Sequence, residues 1–140
     1  MKVVFAKGLV STLSEKMRAF GELETGGCLV GTIDGNRWTI LAASDPPPDS
    51  IHEPAAFERG IAGLEEWLES QFALGRDYLG EWHTHPHELS SPEPSFADLD
   101  THVAAAKRFD RALLLVILAV SPDNPQITAT IVEPDGGLLR

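Results

Sequence analysis

The sequence predicts a mixed α/β domain, with helices packed on a largely antiparallel or mixed sheet. Three observations predict it. Helical and strand patterns follow one another in the order helix, hairpin, helix, strand, helix, strand, strand. The run Ala112–Val120, ALLLVILAV, is apolar at every position and short, as a strand buried on both faces requires. The length of 140 residues suits one domain with one core.

Each element follows from its local pattern. In GLVSTLSEKMRAF, residues 8–20, Leu9, Leu13, Met17 and Phe20 recur at helical spacing, and Gly21 stops the helix. GGCLVGTI and NRWTILAAS read as strands joined by a hairpin turn at Asp34–Asn36. DPPPDS, Asp45–Ser50, is a loop, because consecutive prolines cannot donate to a ladder. Over Ala56–Leu74, Phe57, Ile61, Leu64, Trp67, Leu68 and Phe72 fall on one helical face, which predicts a second, amphipathic helix. YLGEWHTHP is a short strand ending at Pro86, and His87–Ser95 is a loop. A third helix is expected over Phe96–Phe109. ALLLVILAV is then the central strand, SPDNP a turn and QITATIVE a last alternating strand. Residues 134–140 are expected to be a tail of a single domain spanning 1–140, with no internal repeat.

Composition narrows the function. Hydrophobic residues make up 43% and charged residues 23%, so the chain is globular rather than disordered. A net charge of −10 argues against a nucleic-acid partner, which would need a basic footprint. The single cysteine, Cys28, excludes an intramolecular disulfide and a zinc site built on several thiolates. Its apolar setting in GGCLVG marks it as a small buried hydrophobe. The apolar run in MKVVFAKGLV is too short for a signal peptide, and ALLLVILAV is about half a membrane span. A cytoplasmic protein without membrane contact is the expectation.

The chemistry concentrates in GEWHTHPHE, residues 80–88. If residues 78–85 form a strand, Tyr78, Gly80, Trp82 and Thr84 point one way and Leu79, Glu81, His83 and His85 the other. Two histidines on one face, two residues apart, can hold one metal ion, and zinc at a catalytic site takes a third protein ligand. The candidates are His87, Glu88, Glu93, Asp98, His52 and His102. Asp98 ends SFAD, which also reads as a capping-box variant with Ser95 as N-cap; the two roles are compatible. Amidohydrolase barrels with an HxH strand need about 250 residues. Cupin jelly rolls lack the helices expected here, and no HExxH string is present. A three-histidine site with His52 or His102 as third ligand stays open. His87 and His102 otherwise read as a solvated loop residue and a helix-surface residue, and Glu81 as a solvated or paired carboxylate.

These residues together resemble the JAMM metalloproteases, also called MPN-plus or JAB-domain proteases. That family carries a glutamate at the start of an early strand, then H-x-H-P, a spacer and S-x-x-D. Here Glu24 opens ETGGCLVG, HTHP occupies 83–86 and SFAD occupies 95–98. The glycine-bearing strand, Trp82 before the first histidine, the order of elements and the size match as well. The segment Pro86–Pro94 is longer than the family's usual spacer, which leaves Ser90 and Ser91 as alternatives to Ser95; Asp100 is the rival of Asp98.

The resemblance implies an MPN (JAB)-like, cytidine-deaminase-like mixed sheet flanked by helices. It implies Zn2+ on His83, His85 and Asp98, with Glu24 as general base and Ser95 donating to the oxyanion. Gly26 and Gly27 would let the backbone approach the metal-binding strand. The implied activity is a zinc-dependent isopeptidase or peptidase that cleaves after the C-terminal tail of a ubiquitin-like or other conjugated protein. Operon partners resembling ubiquitin-activating and ubiquitin-conjugating enzymes, in antiphage systems, are implied too. The alternatives are a catalytically inactive MPN-type scaffold, a processing protease for a sulfur-carrier protein, and a small-molecule hydrolase on the same fold.

Overall fold

The computed structural model describes residues 2–86, 91–119 and 126–139. The expected turn SPDNP lies outside them, as do His87, Glu88 and Ser90. In chain order the elements are β1 (Lys2–Phe5), α1 (Leu9–Ala19), β2 (Gly26–Asp34), β3 (Arg37–Ala43), β4 (Ile51–Glu53) and β5 (Ala56–Glu58). Then come α2 (Leu64–Ala73), β6 (Asp77–His85), α3 (Phe96–Phe109), β7 (Leu113–Ala119), β8 (Gln126–Val132) and β9 (Leu138–Leu139). Among the described residues seven strands form one sheet in the order β1-β3-β2-β6-β7-β8-β9, and β4 pairs with β5 separately. The large sheet is mixed, as expected: β1 with β3 and β6 with β7 run parallel, and the other neighbours are antiparallel.

The helices cover opposite faces of this sheet. Leu9, Leu13 and Met17 of α1 pack with Leu29, Trp38, Ile40, Leu79, Trp82, Leu114, Val116 and Leu118. Leu99 and Val103 of α3 pack against Leu115, Ile117 and Val132. Alternate residues of β7 therefore serve two cores, which is why all seven are apolar and buried. Burying each leucine contributes about 2 kcal/mol. Among the described residues no helix is long and apolar enough to cross a membrane.

The second helix is shorter than its apolar pattern predicts. Residues 56–58 form a strand, and α2 starts at Leu64. Gly63 precedes the helix in a left-handed conformation, φ 75°. The Asp49 carboxylate accepts the N–H groups of Ile61 (3.0 Å) and Ala62 (2.9 Å), which fixes a turn where a continuous helix would run. Ile61, counted on the apolar face, is 75% exposed. Phe57 instead approaches His52 across the β4–β5 hairpin, ring centroids 5.2 Å apart.

Three further elements escape the periodicity. Residues 2–5 pair in parallel with β3, Ile51–Glu53 pair with β5, and Leu138–Leu139, within the expected tail, pair with β8. All three strands are too short to show alternation.

A bulge in β6 corrects the predicted side-chain faces. Leu29 pairs with Gly80 and Val30 with Tyr78, so Leu79 is an extra residue. Upstream of Gly80 the alternation is reversed. Leu79 joins Trp82 in the α1-side core, and Tyr78 shares a face with Glu81, to which its hydroxyl donates. Gly80 has φ 150°, and a Cβ there would lie 1.9 Å from the Leu114 carbonyl oxygen, so the bulge demands glycine.

Candidate active site

The centre forms where the end of β6, the residue preceding Thr25 and the first turn of α3 meet. Antiparallel pairing sets Gly26 opposite His83. A Cβ on Gly26 would lie 2.3 Å from the Trp82 carbonyl oxygen and 2.9 Å from His83 Cβ. The glycines thus permit the close approach read from the sequence. Thr25 and Thr84 lock the junction: Thr25 N–H donates to Thr84 Oγ1 and Thr84 N–H to the Thr25 carbonyl, each at 3.0 Å. Glu24 is thereby held beside the histidines, 8% exposed.

His83 and His85 share a face, as the strand reading requires. Ligand atoms of Glu24, His83 and His85 lie within 4.8 Å of one another, a group that can hold a metal ion. Asp98 also reaches this pair: its Oδ2 is 3.2 Å from His83 Nε2 and 3.4 Å from His85 Nε2. His85 Nδ1 is 2.7 Å from the Ser91 carbonyl oxygen. A carbonyl only accepts, so Nδ1 carries the proton and a neutral His85 presents the bare Nε2 lone pair to the centre. His83 Nε2 is buried and, despite its approach to Asp98, has no hydrogen-bond partner among the described residues. Two imidazole nitrogens turned on one carboxylate oxygen fit a bound cation and suit the nitrogen and oxygen preferences of zinc.

Electrostatics agree with that arrangement. Burial by itself would raise the Asp98 pKa, but the contacts of His83 and His85 outweigh it and hold the carboxyl well below its usual range. Reciprocally, Asp98 raises the pKa of His85 against the opposing effect of burial.

Ser95 and Asp98 form the expected capping box. Ser95 N–H donates to Asp98 Oδ2 at 2.8 Å, and Asp98 N–H donates to Ser95 Oγ at 3.1 Å. Ser91 orients His85 through its carbonyl. Asp100 and Glu93 are exposed. His52 is turned to backbone, with Nδ1 2.9 Å from the Glu24 carbonyl oxygen.

His102 differs from its surface reading. It is 6% exposed, its Nδ1 donates to the Asp98 carbonyl at 3.1 Å, and burial lowers its pKa to about 4. It lines a cavity of about 690 Å³ that runs from His83 and Asp98 between β5, β6 and α3. Arg59, Tyr78 and Glu81 line the same cavity. Glu81 accepts from Arg59 Nε, the Tyr78 hydroxyl and Cys28 Sγ. Burial and the neighbouring Glu81 push the Cys28 thiol well above its ordinary pKa, which leaves it unreactive. Arg59 was hidden from pattern reading by its apparent place inside a helix.

The family model for prokaryotic homologs of the JAB domain matches residues 6–131. The chain belongs to that family. This prokaryotic JAB domain is 33% identical over 139 residues to a CD-NTase/cGAS isopeptidase of Enterobacter hormaechei, covering 96% of this chain and 76% of that protein. It is 27% identical over 129 residues to the probable metalloprotease y4qB of Sinorhizobium fredii, covering 84% and 76% respectively. The solution structure of protein DSY2949 from Desulfitobacterium hafniense shares the fold of the JAB domain, with a TM-score of 0.72 at 21% identity, over 99% of this chain and 88% of that one.

Proposed function

We propose that this JAB domain is a zinc-dependent isopeptidase that cleaves after the C-terminal tail of a ubiquitin-like or other conjugated protein. Relatives named for isopeptidase activity on CD-NTase/cGAS favour a bacterial conjugation system, of the antiphage kind, over sulfur-carrier processing. The observation that carries the reading is the meeting of two imidazole Nε2 atoms on Asp98 Oδ2, with Glu24 alongside.

His83, His85 and Asp98 would hold the metal. Bound zinc supplies Lewis acidity, lowering the pKa of water towards about 7 and polarising a carbonyl. Asp98 touches both imidazoles, and the family resemblance gives Glu24 the part of base, so Asp98 is taken as ligand and Glu24 as base. The Glu24 carboxylate takes the proton of the attacking water and returns it to the departing lysine amine. Ser95 Oγ, on the first turn of α3, donates to the oxyanion that develops on the scissile carbonyl. The cavity between β5 and α3 gives an extended tail room to reach these groups.

The test is an assay of the purified protein on a modifier linked through its C-terminus to a lysine, with metal analysis alongside. Release of intact modifier, blocked by a chelator, is expected. A zinc-loaded protein inert on all such conjugates would leave the scaffold reading.

A further inference from the structure

We propose that His52 is a positioning residue for Glu24, acting from the β4–β5 hairpin on the main chain of the base. The proposal rests on Glu24 being that base. Glu24 belongs to no helix or strand, so no ladder fixes its peptide. The hairpin fixes it instead. Glu24 N–H donates to the Glu53 carbonyl at 2.8 Å, and His52 Nδ1 lies 2.9 Å from the Glu24 carbonyl oxygen. Because that oxygen only accepts, His52 Nδ1 carries a proton.

The ring is itself held. It stacks on Phe20, the residue capping α1, at 4.1 Å and 14°, and Phe57 of β5 leans against it at 5.2 Å. The donor thus reaches the carbonyl from a fixed plane. On the other side, the Thr25 amide is tied to Thr84 of the metal-binding strand. The backbone of Glu24 is anchored on both sides, and its side chain is aimed from that frame. A general base works only within hydrogen-bond reach of its proton, and a shift of about 1 Å costs on the order of 100-fold in rate. A hairpin residue outside the motif therefore bears on turnover without touching substrate or metal.

Two variants separate the donor from the aromatic stack. His52→Phe keeps a ring on Phe20 and removes the N–H. His52→Asn keeps an amide donor near the Nδ1 position and removes the ring. In the zinc-loaded enzyme acting on a lysine-linked conjugate, His52→Phe is expected to lower kcat about 10- to 100-fold. Its KM should stay within about twofold and its zinc content unchanged, and His52→Asn should restore most of kcat. In the metal-free protein, His52→Phe should speed amide hydrogen exchange at Glu24 about tenfold or more, with core amides unaffected. Wild-type kcat in His52→Phe, equal losses in both variants, or unchanged exchange at Glu24 would each overturn the proposal. The exchange result stands apart from activity. If Glu24→Gln stayed active, the base assignment would fail while the exchange still measured the clamp.

Discussion

Ser95 and Asp98 hold each other across the first turn of α3. The serine amide donates to Asp98 Oδ2 at 2.8 Å, and that same oxygen faces His83 and His85. One carboxylate thus caps a helix and, in the proposed centre, closes the ligand set. The cap fixes the turn, and the fixed turn delivers the oxygen to the end of β6. Folding energy in the helix and geometry at the centre therefore share one residue, and only a substitution that keeps one role can separate them.

Asp98→Asn is such a substitution. Asparagine still accepts the Ser95 amide, so the metal-free protein should lose less than about 1 kcal/mol in urea unfolding. The charged ligand is gone, so zinc affinity should fall on the order of 100-fold or more, read by competition with a chromogenic chelator. Full zinc retention would remove Asp98 from the ligand set.

Glu24→Gln tests the second carboxylate. The amide keeps the size and loses the proton-accepting oxygen. Zinc content should stay at about one per chain, while kcat on a lysine-linked conjugate falls about 100-fold or more. A variant that lost its zinc would make Glu24 a ligand instead.

That His83, His85 and Asp98 would meet was legible because they lie within short strings, HTHP and SFAD, with Glu24 ahead of the glycine-bearing strand that pairs with the first of them. The strand carrying His83 and His85, the helix carrying Asp98 and the central β7 follow from periodicity. What escaped rests on long-range contacts. The helical pattern over 56–74 was broken by Asp49, which captures the amides of Ile61 and Ala62 from a loop far back in sequence. The Gly80 bulge moved Leu79 to the opposite core, and its cause is the close approach of Leu114, a residue of another strand. The sequence pattern alone places His102 on a helix surface, because the cavity over α3 is made by β5 and β6.

Arg59→Met should expose the dependence of Glu81 on its partner. Burial raises the Glu81 pKa, and Arg59 is the charge that opposes this. Side-chain exposures of 29% for Arg59 and 17% for Glu81 place the pair below a fully buried one, so the loss should be about 2 kcal/mol in urea unfolding. Adding Glu81→Gln should recover part of it, because a neutral amide tolerates the site. A loss under about 0.5 kcal/mol would mean that Tyr78 and Cys28 suffice to hold Glu81.

His102 predicts a pH dependence of opposite origin. Burial holds its pKa at about 4 in the folded protein, against 6.5 for the free side chain. Between those values the unfolded chain binds more protons than the folded one, so stability rises with pH through that window. The contribution is intact above pH 6.5 and is lost as pH falls towards 4. The loss at the lower limit should be about 3 kcal/mol. His102→Asn keeps a donor for the Asp98 carbonyl and cannot take up a proton. Urea unfolding of chelator-treated protein should therefore show a steeper acid decline in the parent chain than in the variant, with metal release removed from the comparison. Parallel curves for the two chains would show that folding leaves the His102 pKa where it is in the free side chain, and burial would not be the cause of the acid decline.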